Sequence, residues 1–133
     1  MRLTRLAVAL ASTVAFAACD GHFLDPDLAG LWGGDNFELT IDASSISVTM
    51  LCNSKGRFPG DVQLDEHSAF YRDGQMAWSG TRLDDVRLGG SLSHPDTMRV
   101  MIYHPGNPLE DPAVFTLVRG QPATWNSRIM CAS

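Results

Sequence analysis

The cysteines are the residues whose chemistry is most constrained by their positions. The chain has three of them, Cys19, Cys52 and Cys131. None belongs to a Cys-x-x-Cys pair, the spacing that redox catalysis and many zinc sites use. An odd number leaves one cysteine over when two form a disulfide bond. The spacing therefore predicts one bridge and one cysteine with a separate role.

The separate role falls to Cys19, because the residues before it have the layout of an export signal. Arg2 and Arg5 precede an uncharged run, residues 6–18, which matches the charged and apolar regions of a cleavable secretory signal. The run is too short to span a bilayer as a helix, which takes about 20 residues. We expect residues 1–18 to be a signal peptide that the mature protein lacks.

The residues immediately before Cys19 resemble the bacterial lipobox, in which a cysteine is acylated and becomes the mature N-terminus. Phe16, Ala17 and Ala18 occupy its last positions. The resemblance implies lipidation at Cys19, a membrane anchor, and a location in the bacterial cell envelope facing the periplasm or the exterior. The alternative is ordinary cleavage after Ala17, which would release a protein with an unpaired thiol. The odd number of cysteines favours lipidation.

Cys52 and Cys131 are the expected disulfide pair, because an exported protein folds in an oxidising compartment. In the chain-entropy description, closing a loop of about 80 residues contributes about 4 to 5 kcal/mol. That contribution is comparable with the whole net stability of a small domain.

Candidates for metal or acid–base chemistry are scattered. The histidines lie in the expected tether or beside turns, and none is spaced to share a metal ion with another: His22, His67, His94 and His104. Adjacent acids occur at Asp65 with Glu66 and at Asp84 with Asp85, but adjacent acids on a loop are usually solvated charge. We expect no catalytic residue, metal or cofactor. An enzyme would need a pocket where a histidine meets a carboxylate, such as His67 beside Asp65 or Asp84.

The charge balance restricts the possible partners. Ten basic residues stand against 15 acidic ones, and the formal net charge is −5. Nucleic-acid binding starts from a basic surface, so we expect no nucleic acid among the partners. Long-range attraction would instead favour a basic envelope or secreted protein.

Strand-like alternation follows the presumed tether, residues 19–27. Residues 36–42 place Phe37, Leu39 and Ile41 on one face, as a half-buried strand does. A turn at residues 43–45 and similar alternation over residues 46–52 predict a hairpin.

Asp73 and Gly74 predict a second hairpin, because this pair suits a tight two-residue turn between strands at residues 68–72 and 75–79. Such a turn would place Tyr71 opposite Met76. Further strands are expected at residues 86–92, 97–103, 113–119 and 128–131.

About eight short strands separated by turns predict an all-β domain over residues 28–133. We expect a small antiparallel β-barrel closed by one disulfide, since closure removes exposed strand edges. Gly30 and Trp32, before the first long strand, resemble the opening of lipocalin-like barrels. That resemblance implies a tryptophan that plugs one end. A chain this short favours an interior filled by its own side chains.

Two family resemblances bear on function. Over residues 28–131 the order Gly-x-Trp-Gly-Gly, paired strands, a cysteine followed by Gly56, and a terminal cysteine resembles small uncharacterised bacterial envelope lipoproteins. This implies fold and location but no activity. Because the sequence offers no catalytic motif, we expect a non-catalytic binding or structural module. A weaker resemblance, to lipid-anchored lysozyme inhibitors, implies the alternative of a hydrolase inhibitor. Its Ser-Gly-x-x-Tyr loop would correspond to a partner-binding loop here, with Leu83 in place of the tyrosine: Ser79, Gly80, Arg82 and Asp84.

Overall fold

The chain folds as a closed antiparallel barrel. The structure, a computed structural model, describes residues 28–80, 82–107 and 109–131. The predicted signal peptide, Cys19 and the tether lie outside the described residues. The strands are β1 Gly30–Gly34, β2 Phe37–Ile41, β3 Ser45–Met50, β4 Ser54–Pro59, β5 Ala69–Trp78, β6 Arg82–His94, β7 Thr97–Tyr103 and β8 Ala113–Arg119. Each strand pairs with the next, and β8 pairs with β1. The predicted all-β barrel is confirmed. No helix in the described part of the chain has the length and apolarity needed to cross a membrane.

The interior of the barrel is filled by side chains that alternate along the strands. Phe37, Leu39 and Ile41 of β2 are buried, as their spacing predicts. The same alternation buries every second residue of β7. Large, fully buried side chains come from all eight strands: Trp32, Phe37, Leu39, Ile46, Phe58, Met76, Leu88, Met98, Ile102 and Leu117. Open clefts that a small ligand could enter lie on the outside of the barrel.

The hairpin predicted at Asp73 and Gly74 is wrong. β5 runs through both residues, which pair with Arg87 and Val86 of β6. Gly74 does not adopt a positive φ. A Cβ there would overlap the backbone of Arg57 on β4, so the glycine allows close approach of two strands. Tyr71 accordingly pairs with Gly89 and not with Met76.

The last strand predicted, at residues 128–131, is also wrong. These residues form a turn in which the Ile129 amide donates to the carbonyl of Asn126. Residues 120–131, the C-terminal strap, leave β8 and run back along the outside of β1, where Thr124 forms a parallel bridge with Asp35. Once β8 has paired with β1, the barrel offers this segment no place as a further strand.

The strap ends at the predicted disulfide between Cys52 and Cys131, which the structure confirms with a Cα–Cα distance of 5.3 Å. Cys52 lies in the β3–β4 turn with φ of 62°. It does not end a strand, as the alternation suggested, because β3 stops at Met50.

Successive connections of such a barrel alternate between its two ends. One end, here called the N-terminal end, carries Leu28 and the β2–β3, β4–β5 and β6–β7 connections. Trp32 closes it: the indole Nε1 donates to the Leu28 carbonyl at 2.9 Å, and the Arg119 guanidinium lies 4.7 Å from the ring centroid. The opposite end, called the disulfide end, carries the other four connections and Cys131.

Candidate functional site

A cleft opens at the disulfide end, between the β5–β6 hairpin and the long β7–β8 connection. Its volume is about 370 Å³, and its walls are Trp78, Arg82, Asp84, His104 and Glu110. The hairpin wall follows from strand length, because β5 and β6 are the longest strands and their hairpin projects beside the connection after Tyr103. The rings of Trp78 and His104 are 5.7 Å apart. The cleft therefore combines an aromatic wall with groups of both charges.

The two predicted site residues in this cleft pair with each other. Arg82 Nε lies 3.2 Å from Asp84 Oδ2, with the arginine exposed and the aspartate half-buried. Such exposed ion pairs contribute little to stability. A ligand could therefore replace either side chain as the partner of the other at little cost. Asp84 lies opposite buried Met76, at the edge of the core.

Ser79 and Gly80, the other predicted site residues, form the hairpin turn outside the cleft. Both have positive φ, 49° and 75°. The Ser79 amide donates to Ser54 Oγ at 3.0 Å, and Gly80 lies against Asn53. They fasten the hairpin to the β3–β4 turn, next to the disulfide. Thr81 lies outside the described residues.

The cleft continues onto the outer face of the sheet, where sequence reasoning did not place a site. A groove of about 490 Å³ runs beside the same connection and is lined by Tyr71, Arg87, Tyr103, His104, Pro105, Asn107 and Glu110. It exists because Tyr71, Gly89 and Met101 share one row across β5, β6 and β7, while Asp73, Arg87 and Tyr103 share the next. The two tyrosines thus flank a glycine. Only the strand register brings them together.

Ion pairs and hydrogen bonds fix the polar groups around this groove. Arg87 donates to both oxygens of the Asp73 carboxylate, at 2.8 and 3.3 Å. This hydrogen bond lowers the pKa of Asp73 and raises the pKa of Arg87 from their ordinary values. Asn107 Nδ2 donates to Glu110 Oε2 at 3.4 Å. The positive charge of Arg87 is thereby balanced by Asp73, and Glu110 adds negative charge to the groove.

At the N-terminal end, two carboxylates accept hydrogen bonds from backbone amides and so stabilise turns. Asp42 Oδ1 accepts from the amides of Ser44 and Ser45, both at 2.8 Å, and these bonds lower the pKa of Asp42. Asp65 Oδ1 accepts from the amides of Ala69 and His67, which lowers its pKa in the same way.

For an enzyme, His67 was considered beside Asp65 or Asp84. The Asp65 carboxylate accepts from the backbone amide of His67, and the His67 imidazole lies 3.5 Å from Glu66 Oε1 with both side chains highly exposed. Asp84 lies towards the opposite end of the barrel from His67. Among the described residues, no three potential ligands are grouped to hold a metal ion.

No protein-family model, no curated protein and no solved structure was found to match this chain.

Proposed function

We propose that the protein is a non-catalytic binding module of the bacterial cell envelope, and that it holds its partner at the disulfide end. One observation carries this proposal. The cleft and its outer groove bring aromatic rings, both charges and exposed apolar groups to one end of a barrel whose interior is filled. Leu109 and Met130 at this end are 95% and 94% exposed. Exposed apolar groups beside polar ones are typical of interaction sites.

An envelope location with a lipid at Cys19 is consistent with two features. A disulfide of this kind is typical of oxidising compartments. Leu28, the first described residue, lies at the end opposite the cleft. A lipid attached a few residues earlier would hold the N-terminal end towards the membrane and leave the cleft facing the periplasm or the cell exterior.

A hydrolase inhibitor is the second candidate, and one observation favours it. The inhibitor hypothesis expects Ser79, Arg82 and Asp84 together on an exposed loop; Arg82 and Asp84 pair with each other at the start of β6, beside the hairpin turn that contains Ser79. The acidic net charge of −5 would speed its association with a basic enzyme. Micromolar protein should then reduce the activity of an animal-type lysozyme at low salt, and unchanged activity would rule this candidate out.

Site-specific photo-crosslinking in the producing cell tests the main proposal. A photoreactive residue is placed in the full chain at Arg82 or Leu109, at the disulfide end. Matched controls replace exposed Asp61 or Glu66, at the N-terminal end. We expect discrete crosslinked species from the first pair and none from the second. Crosslinks of equal yield from both ends, or from the N-terminal end alone, would contradict the proposal.

A further inference from the structure

We propose that the outer groove between Tyr71 and Tyr103 binds a neutral oligosaccharide, an inference that rests on the binding role proposed for the disulfide end. A pyranose ring has an apolar face of C–H groups and a rim of hydroxyl groups. A site for it therefore needs exposed aromatic faces with planar hydrogen-bonding groups beside them. The groove has both.

The aromatic part consists of two tyrosines that share one glycine. A methyl group on Gly89 would lie 3.0 Å from the Tyr71 ring and 3.2 Å from the Tyr103 ring, so both rings cover the backbone of β6. Tyr71 is 53% exposed. The Tyr103 hydroxyl donates to Met101 Sδ at 3.3 Å, which fixes the direction of that ring. The result is a preformed apolar platform, and preformed sites lose less entropy on binding.

The polar part consists of planar groups whose orientation is already set. The Arg87 guanidinium lies in a two-pronged bond with Asp73, and the Asn107 amide is bonded to Glu110. Guanidinium, amide and carboxylate groups each present pairs of donors or acceptors in one plane. Adjacent hydroxyl groups of a sugar match such pairs.

Charge and size select among possible occupants. Arg87 is balanced by Asp73, and Glu110 leaves the groove slightly negative, so an anionic ligand such as a phosphate is disfavoured. The groove measures about 490 Å³, within the range of about 300 to 1,000 Å³ that small-molecule sites occupy. A proline-rich peptide also uses tyrosine-lined grooves, but it has few donors to offer to the carboxylate of Glu110. A neutral ligand rich in hydroxyl groups fits all of these features.

Calorimetric titration of the full-length purified protein tests this inference. The probes are three neutral sugars, cellotetraose, maltotetraose and fully N-acetylated chitotetraose, at millimolar concentration. We expect at least one to bind, and we expect Tyr71→Ala and Tyr103→Ala each to weaken its binding by about tenfold, as loss of an anchoring aromatic side chain does. Tyr71→Phe keeps the ring and should bind nearly as well as the wild type. Trp125→Ala is the matched control, because Trp125 is 43% exposed but does not line the groove.

The titrations either support or contradict sugar binding in the groove. Loss of binding in the two tyrosine variants alone supports it, provided that their circular dichroism matches the wild type. It is overturned if none of the three sugars binds, if the two tyrosine variants bind a sugar as tightly as the wild type does, if Trp125→Ala has the same effect as they have, or if decaproline binds the groove in place of the sugars. Crosslinks from Arg82 and Leu109 would persist in those cases, so failure here leaves the proposed binding role to its own test.

Discussion

The two ends of the barrel are stabilised by different means. The N-terminal end is closed by Trp32, and its three connections carry acidic residues but no lysine or arginine: Asp42, Asp61, Asp65, Glu66 and Asp96. Local hydrogen bonds shape these connections. The disulfide end is held by a covalent bond and carries aromatic, apolar and oppositely charged groups. Covalent closure lets loops keep side chains that contribute little to folding, and those side chains are then available for binding.

Removing the covalent bond should have the largest effect. The double variant Cys52→Ser with Cys131→Ser should lower the free energy of unfolding by about 4 to 5 kcal/mol, because the unfolded chain regains the freedom of a long loop. Urea denaturation measures the change. Wild-type protein treated with a reductant should lose the same amount. A loss below about 1 kcal/mol would show that the strap is held mainly by its other contacts.

Opening the N-terminal end should cost almost as much. Trp32→Ala removes a fully buried ring, its hydrogen bond to Leu28 and its contact with Arg119, and truncating a buried aromatic residue costs about 3 to 5 kcal/mol. Thermal and urea denaturation measure it. Trp125→Ala, an exposed control, should change stability by less than about 0.5 kcal/mol. Equal effects of the two variants would refute the role of Trp32 as a plug.

The fit of the strap against β1 should give a smaller effect. A Cβ on Gly33 would overlap the backbone of the strap at Gln121, whereas a Cβ on Gly106 would meet nothing within 4 Å. Gly33→Ala should therefore destabilise the protein by about 1 to 3 kcal/mol, as overpacking does. Gly106→Ala should be close to neutral in the same denaturation experiment. A neutral Gly33→Ala would mean that the strap moves away freely.

The smallest predicted effect is on stability at acidic pH, and it arises at the N-terminal end. The pKa values of Asp42 and Asp65 are lowered in the folded state. Their contribution to stability is therefore complete above the unfolded-state pKa of about 4, and it is lost as pH falls through the lower folded-state values. Asp42→Asn and Asp65→Asn cannot titrate, so their stability should fall less steeply below that pH than the wild-type stability does.

Urea midpoints measured from neutral pH down to acid test this expectation. Asp61→Asn is the control, because the Asp61 carboxylate takes part in none of these turn hydrogen bonds. Wild-type pH dependence retained in both turn variants would exclude this role of the turns.

Sequence alone predicts the strands whose side chains alternate cleanly. The predicted bounds of β7 and β8 agree with Thr97–Tyr103 and Ala113–Arg119. β4, Ser54–Pro59, was not predicted, because its Ser-Lys-Gly-Arg sequence shows little apolar alternation and only its neighbours make it a strand. Gly74 was misassigned for a related reason. A local turn signal and a close contact between strands both require glycine, and only the tertiary structure distinguishes them.

The candidate site divides in the same way. Arg82 and Asp84 were found because they lie in one short stretch of sequence, residues 79–84, that resembles the loop of lysozyme inhibitors. Tyr71 and Tyr103 were not found as a pair, because they lie on strands that flank β6, and their proximity depends on the register of all three strands. The spacing of residues along the sequence does not predict that register.

The seam between β8 and β1 affects how the molecule is made. These strands pair at only two positions, Trp32 with Arg119 and Gly33 with Val118, and the strap adds the bonds that complete the seam. β1 is the first strand of the barrel along the chain and β8 is the last, so β1 stays an unpaired edge that another chain could join until β8 has folded onto it. A chain cut short within the strap would keep only the two paired positions at the seam and would lose the disulfide bond to Cys52. Its seam would therefore open more readily and expose β1 to other chains.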